Sequence, residues 1–86
     1  MTKIYIYCLF DMDTLVGIYS SLKAIHRDAL RLANRSSSRV VMYIDNAPFE
    51  PSLTVLRNTF KGKCDVEIKY RTSTSLVRIF KTKLKE

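Results

Sequence analysis

The sequence is short of the residues on which most catalytic and metal sites depend. Its 86 residues include two glycines, two cysteines, one histidine and no tryptophan. Two glycines cannot supply the glycine-rich loop that cradles nucleotide phosphates. The sequence also lacks the Cys and His spacing of a zinc site, and its single histidine follows no recognisable nucleophile motif. We therefore expect no catalytic residues, no metal and no cofactor, and a protein that is not an enzyme.

Long apolar runs are also missing. None approaches the ~20 residues that span a bilayer, and no signal-peptide pattern opens the chain. Cys8 and Cys64 lie far apart in the sequence, which favours buried free thiols in a reducing compartment. Because 47% of the residues are hydrophobic, the composition is typical of a folded chain. We expect one soluble domain over residues 1–86, located in the cytoplasm and without a membrane partner.

Acidic residues are outnumbered, and the excess of basic residues is uneven. The chain has 15 Lys and Arg against 8 Asp and Glu, a net charge of +7. Residues 1–50 carry six basic and five acidic side chains (+1), whereas residues 51–86 carry nine and three (+6). This asymmetry predicts a positive surface that attracts nucleic acid or an acidic protein. The alternative is that the charge serves solubility alone.

Hydrophobic periodicity predicts an α+β fold, with a small, largely antiparallel sheet covered on one face by two helices. Residues 3–10 are β-branched and aromatic, which predicts a strand buried on both faces. The segment 76–84 fits a strand by residue type and a helix by apolar spacing, and we favour a strand that pairs with 64–71. The predicted sheet comprises the hairpin 3–19 and strands 39–45, 64–71 and 76–84. The predicted helices are 21–34 and 51–61.

One short motif invites a catalytic interpretation. The run Phe10-Asp-Met-Asp-Thr-Leu-Val resembles the first motif of haloacid-dehalogenase-type phosphatases, in which one aspartate attacks phosphorus and the second acts as acid and base. Here Thr14 falls one position too early, and the chain is too short for that family's later lysine and metal ligands. Aspartate is also common in turns, where its side chain bonds to nearby backbone. We interpret Asp11 and Asp13 as turn residues.

Two groups of basic residues are the candidate functional residues. The first, the helix stripe, repeats every four residues and so lies along one side of the first helix. The second lies in the C-terminal strands. Arginine in both groups favours phosphate binding, because its planar guanidinium can hold two oxygens at once. We expect the two groups to form two walls of one RNA-binding surface. The predicted RNA-binding residues are Lys23, Arg27, Arg31 and Arg35 of the helix stripe, with Lys69, Arg71, Arg78, Lys81 and Lys83.

Strand geometry divides the C-terminal group further. In a strand from residue 76, Arg78 shares a face with Phe80, whereas Lys81 and Lys83 lie on the other face. Five tyrosines on predicted strands could stack RNA bases, although we favour core or edge positions for them, because aromatic side chains usually bury their large apolar area. Binding would be sensitive to salt and largely blind to sequence. It would favour single-stranded RNA if the tyrosines contribute and duplex RNA if they do not. The tyrosines are Tyr5, Tyr7, Tyr19, Tyr43 and Tyr70.

Two stretches carry a resemblance to a known family. The run Val16-Gly-Ile-Tyr-Ser-Ser-Leu and the basic tail Val77-Arg-Ile-Phe-Lys-Thr-Lys-Leu-Lys resemble the TifA antitoxins of T4-like bacteriophages, which neutralise the RNA-cleaving host toxin ToxN. The resemblance implies a phage inhibitor in the host cytoplasm, whose partners are RNA and a host ribonuclease toxin in one toxin–RNA–inhibitor complex. The alternative is a protein–protein inhibitor or host-takeover factor that binds an acidic host protein without nucleic acid. A strand at the sheet edge could also pair two copies into a homodimer.

Overall fold

The computed structural model describes residues 5–35, 39–61 and 66–83, which form one six-stranded sheet and two helices. The strand order is β2-β1-β6-β5-β3-β4, and all neighbouring strands are antiparallel. The predicted α+β class is therefore confirmed. Neither helix is long and apolar enough to cross a membrane. The elements are β1 (Tyr5–Asp11), β2 (Thr14–Tyr19), α1 (Leu22–Ala33), β3 (Val41–Ile44), β4 (Ala47–Phe49), α2 (Leu53–Phe60), β5 (Ile68–Arg71) and β6 (Leu76–Lys83).

Both helices pack on the same face of the sheet, as predicted. Side chains alternate between the two faces along each strand, and Leu9 of β1 lies opposite Ile79 of β6, both fully buried. Ile25 of α1 packs in the same core. The Phe60 ring of α2 lies 5.8 Å from the ring of Tyr7, which shares the face of Leu9. The core therefore lies between this covered face and the two helices.

The opposite side of the sheet, here called the open face, carries neither helix. Its residues on β1 are Ile6, Cys8 and Phe10, which alternate with Leu9 and are only partly buried. The expectation that β1 is buried on both faces is therefore wrong. Strand β1 is hydrophobic on both sides although only one side has helices to pack against, and its open side needs another explanation. Cys64 lies outside the described residues.

Local signals set the ends of the helices. The Ser21 hydroxyl accepts a hydrogen bond from the Ala24 N–H (3.3 Å), and Ser52 does the same for Val55. These N-caps satisfy N–H groups that have no partner within the helix. Because Ser52 caps α2, Pro51 lies before the helix and not in its first turn.

The strand β4 was not expected, because Pro48 removes a backbone donor. An edge strand pairs on one side only, so it tolerates a residue without an N–H. The preceding turn provides the missing signal. Asp45 and Asn46 adopt φ angles of 49° and 72°, the left-handed conformation that a two-residue hairpin turn requires and that Asp and Asn tolerate.

The ambiguous C-terminal segment is a strand, as favoured. Strand β6 lies in the middle of the sheet and pairs with β1 on one side and β5 on the other. Its Ile79 sits between Leu9 and Ile68, and all three are fully buried. A strand at this position buries β-branched side chains against two neighbours, which outweighs the helical spacing of its apolar residues.

A buried polar pair joins α1 to the sheet. The Nδ1 atom of His26 lies 2.6 Å from the hydroxyl of Tyr70, which is fully buried on β5. Burial raises the pKa of the Tyr70 phenol, so this group stays protonated while it shares a hydrogen bond with the histidine ring. Burial also lowers the pKa of His26 from its ordinary value of 6.5. The pair therefore holds a neutral histidine in the folded protein.

This pair makes stability depend on pH. Below about pH 6.5 the unfolded chain protonates His26 before the folded protein does, so the free energy of unfolding should fall as pH falls from about 7 to about 5. The His26→Gln variant has no titrating group here and should lose this part of the fall. Urea unfolding of both proteins at several pH values measures the difference. An identical pH dependence in the two proteins would contradict a role for His26.

Candidate nucleic-acid interface

The helix stripe is exposed on the outer side of α1, as predicted, but it is partly neutralised. The side chains of Arg27 and Arg31 are 72% and 74% exposed and lie 3.3 and 2.6 Å from one oxygen of Asp28. The Tyr19 hydroxyl donates to the other oxygen of Asp28 (2.6 Å). This hydrogen bond, together with the two arginines, lowers the pKa of Asp28 and keeps it ionised. Two cations of the stripe therefore share one carboxylate.

The remaining stripe residues differ from each other. Arg35 pairs with Asp11 at 2.8 Å, which ties the end of α1 to β1. Lys23 is exposed and forms no ion pair with any residue in the described ranges. Overall, four cations of the stripe face two carboxylates, and exposed ion pairs of this kind contribute little to stability. The stripe supplies long-range attraction, and the aromatic side chain beside it, Tyr19, has its hydroxyl bound to Asp28.

The C-terminal basic residues divide between the two faces, as strand alternation predicts. Lys69, Arg71 and Arg78 lie on the open face, whereas Lys81 and Lys83 lie on the side of the helices. The Lys81 ammonium donates to the carbonyl of Phe60 (2.7 Å) and lies 4.5 Å from the Tyr5 ring centroid. Lys81 thus anchors α2 to the sheet and is occupied by structural contacts.

The expectation of two walls around one surface therefore does not hold for Lys69, Arg71 and Arg78. The helix stripe lies beyond the covered face, and Lys69, Arg71 and Arg78 lie on the open face, so the sheet stands between the two groups. A single short RNA strand cannot touch both without passing around the domain. The two groups must be considered as separate candidate surfaces.

The open face brings together residues that are distant in sequence. Phe10 of β1 lies opposite Arg78 of β6, Arg78 lies opposite Lys69 of β5, and Lys69 lies opposite Tyr43 of β3. These four residues, here called the cross-sheet row, run straight across four adjacent strands. Neighbouring strands are about 4.8 Å apart, so the row is about 14 Å long. It has an aromatic ring at each end and two cations between them.

Arg78 is held against aromatic rings at the centre of the open face. Its guanidinium lies 5.8 Å from the ring centroid of Phe10 and 5.6 Å from that of Phe80. The two rings pack edge to face, with centroids 5.6 Å apart and an interplanar angle of 87°. Nη2 of Arg78 donates to the Met12 carbonyl (3.1 Å), while its buried Nε has no hydrogen-bond partner in the described part of the chain. These contacts position the guanidinium plane.

The cations of the open face are also partly paired with carboxylates. Lys69 pairs with Glu67 at 2.9 Å, and Arg78 makes a longer contact of 3.4 Å with the fully exposed Asp13. Arg71 is exposed and has no ion pair with residues 5–35, 39–61 or 66–83. A shallow depression beside it is lined by Met12 and by the hydroxyl-bearing turn between β5 and β6. This end of the open face offers one free guanidinium next to several hydroxyl groups.

The aromatic residues of the open face are mostly not the predicted ones. Of the five tyrosines, only Tyr43 lies on the open face, and the other four face the helix side. Phe10 and Phe80 were not considered as candidates. A signal for them exists in the sequence, because each is one position away from a residue of the core, Leu9 and Ile79, and so must face the other way. Their proximity to Arg78 depends on the pairing of β1 with β6.

The two aspartates of the first turn do not form a catalytic pair. Asp11 faces the helix side and binds Arg35, whereas Asp13 projects from the turn beside Arg78. Among the described residues, no three His, Cys, Asp or Glu side chains come together in a way that could hold a metal ion.

Comparisons of the chain with protein-family models, with curated proteins and with solved structures found no match. The resemblance to phage antitoxins therefore stays a prediction.

Proposed function

We propose that this chain binds single-stranded RNA on the open face. The observation that supports the proposal is the cross-sheet row, in which aromatic rings flank two cations on a sheet face that carries no helix. Unpaired bases stack on aromatic rings and on guanidinium planes, while Lys and Arg bind the phosphates between them. This combination suits a single strand, because the bases of a duplex are stacked on each other and cannot reach the rings.

In this proposal each part of the open face has a role. Phe10, Phe80 and Tyr43 offer ring surface, and the Arg78 guanidinium, held beside two of the rings, binds a phosphate. Lys69 and Arg71 bind phosphates on β5. Because these contacts recognise stacking surfaces and phosphates, and not base edges, binding is largely independent of sequence. The helix stripe on the other side increases the rate of encounter by long-range attraction.

The resemblance to phage antitoxins extends this proposal to a host defence endoribonuclease as protein partner. In this extension the chain acts in the host cytoplasm and without catalysis, as part of a toxin–RNA–inhibitor complex. The extension rests on the resemblance alone, whereas RNA binding is supported by the cross-sheet row. Nuclease treatment of a toxin pull-down separates the two, because an RNA-bridged complex loses the toxin and a direct protein complex keeps it.

The test of RNA binding is titration of nuclease-treated protein with a short single-stranded RNA and with the matched duplex at several salt concentrations. We expect the single strand to bind more tightly. If Lys69, Arg71 and Arg78 each neutralise one phosphate, the logarithm of the affinity should fall with the logarithm of the salt concentration with a slope of about −2, at about −0.7 per phosphate. Absence of binding at low salt, or preference for the duplex, would contradict the proposal. Binding only to an acidic protein would favour the alternative function.

Replacing one aromatic ring measures the contribution of base stacking to RNA binding separately from that of charge. The Phe80→Leu variant keeps an apolar side chain but loses the stacking surface, and it should bind single-stranded RNA about tenfold more weakly with an unchanged salt slope. The matched control is Phe49→Leu, since Phe49 is exposed on β4 but lies opposite Met42 on the covered side. Equal binding by the two variants would exclude Phe80 from the site.

A further inference from the structure

The outer edge of β2 is an unprotected sheet edge. Among the described strands β2 pairs only with β1, so the backbone groups on its other side have no strand partner. Thr14–Tyr19 contains no charged residue, and Leu15, Val16 and Ile18 are 49%, 46% and 60% exposed. An exposed, uncharged and apolar edge is a template for another strand, and proteins usually avoid one by means of charges, proline, very short length or β-bulges, of which β2 has only a bulge.

The other edge of the sheet has this protection. Strand β4 is only three residues long and has Pro48 at its centre. Proline lacks the N–H that a further strand would need. The two edges of the same sheet thus differ, because β4 is protected against pairing with a further strand and β2 is not. This difference makes β2 the edge on which a partner strand would pair.

We propose that the partner is a second copy of this chain, joined by antiparallel pairing of β2 with β2 about a two-fold axis. A strand that pairs antiparallel with its own copy is self-complementary, as a symmetric dimer interface must be. The pairing continues the sheet from one copy into the next, and the backbone groups along β2 gain partners. Backbone pairing, and not apolar surface alone, therefore supports a second copy of the chain as the partner.

A bulge in β2 places apolar side chains of the two copies opposite each other. Leu9 lies opposite Gly17 but Phe10 lies opposite Leu15, so Val16 is an extra residue. The extra residue places Leu15 on the open face with Ile18, since their partners Phe10 and Cys8 are two residues apart on β1. With the two-fold axis between Val16 and Gly17, Leu15 of one copy lies directly opposite Ile18 of the other, and the two apolar side chains contact each other.

Charges near β2 also suit this arrangement. Two chains of net charge +7 repel each other, and an edge without charges is the place where contact costs least.

The symmetry has a consequence for the open faces. A two-fold axis that relates antiparallel strands of one sheet is perpendicular to the sheet, so both open faces point in the same direction. The dimer presents two cross-sheet rows on one continuous surface, with the apolar β2 strands between them. The dimer does not depend on RNA binding, and either proposal can fail without the other.

The test is the mass of nuclease-treated protein in high salt, measured by light scattering and sedimentation over a range of concentrations. We expect the mass to rise with concentration from 10.0 kDa toward twice that value. Amides of β2 should exchange with solvent more slowly at high protein concentration. The Ile18→Lys variant places a charge at the β2–β2 interface and should stay monomeric. If this variant folds poorly, Val16→Lys replaces it in the test.

The matched control is Ala47→Lys, which adds the same charge to the exposed strand β4 at the other edge. This variant should dimerise like the unmodified chain. A monomer at every concentration would overturn the proposal, as would a dimer that Ile18→Lys leaves intact or Ala47→Lys disrupts. Association seen only when a foreign peptide or protein is added would assign the edge to another partner and would overturn it too.

Discussion

Replacing Lys69 and Arg78 together by glutamine should weaken the binding of single-stranded RNA by at least about tenfold. Each cation bound to a phosphate contributes a charge-assisted hydrogen bond, which is worth about 1.5–3 kcal/mol, and about 1.4 kcal/mol corresponds to a factor of ten. The salt slope should also become smaller by about 1.4, because two phosphates lose their cations. Fluorescence titration at several salt concentrations measures both quantities.

The matched control is the double variant Arg27→Gln and Arg31→Gln. It removes the same two charges, so the net charge falls from +7 to +5 in both proteins, and their long-range attraction to RNA is equally reduced. Both arginines are exposed, so the fold should be unaffected. We expect a small loss of affinity here and a large one on the open face. A larger loss of affinity in the helix-stripe variant would place the RNA on the helix stripe. Equal losses in the two variants would mean that RNA is attracted by net charge and has no defined binding site.

The Ile79→Ala variant should strongly reduce stability. Ile79 is fully buried on the central strand β6, between Leu9 and Ile68. Removing its methyl and methylene groups leaves a cavity where the sheet meets the helices, and such changes cost about 2–5 kcal/mol. Small domains have only about 5–15 kcal/mol in total. The midpoint of thermal unfolding should fall by about 10 °C or more.

Thr82→Ala is the control on the same strand. Thr82 is exposed near the end of β6, and its loss should change the free energy of unfolding by about 0.5 kcal/mol or less. Calorimetry or urea unfolding compares the two variants. Similar effects of the two substitutions would mean that β6 is not buried at the centre of the sheet. The comparison therefore tests the strand order as well as the core.

Local patterns were sufficient to predict most of the elements. Ser20 and Ser21 could be recognised as N-cap candidates because hydroxyl side chains bind the first N–H groups of a helix, whatever the helix packs against, and Ser21 has this role. The alternation around Ile68 and Tyr70 predicted a strand with one buried side. Strand β4 is absent from the prediction because Pro48 disfavours a strand, although Asp45 and Asn46 favour a hairpin turn before it. Its position at the edge, which makes the proline tolerable, is a property of the whole sheet.

The candidate site was predicted only in part for a related reason. Arg78 and Phe80 could be placed on one face by their spacing, and Lys81 on the other. The sequence contains no information on which strands are neighbours, and β6 pairs with both β1 and β5. The cross-sheet row exists only through those pairings. The prediction that the helix stripe forms one surface with Lys69, Arg71 and Arg78 was wrong, because helix and strand patterns do not indicate which side of the sheet the helix covers.

By itself, the sequence determined the charge, the α+β class and the alternation of side chains along the regular strands, because these depend on composition and on contacts between near neighbours in the chain. The tertiary structure alone decided which strands lie side by side and which face the helices cover. Those choices are made by burial of apolar area from the whole chain. They bring Phe10, Arg78, Lys69 and Tyr43 into one row, and they leave β2 at an edge without charge or proline.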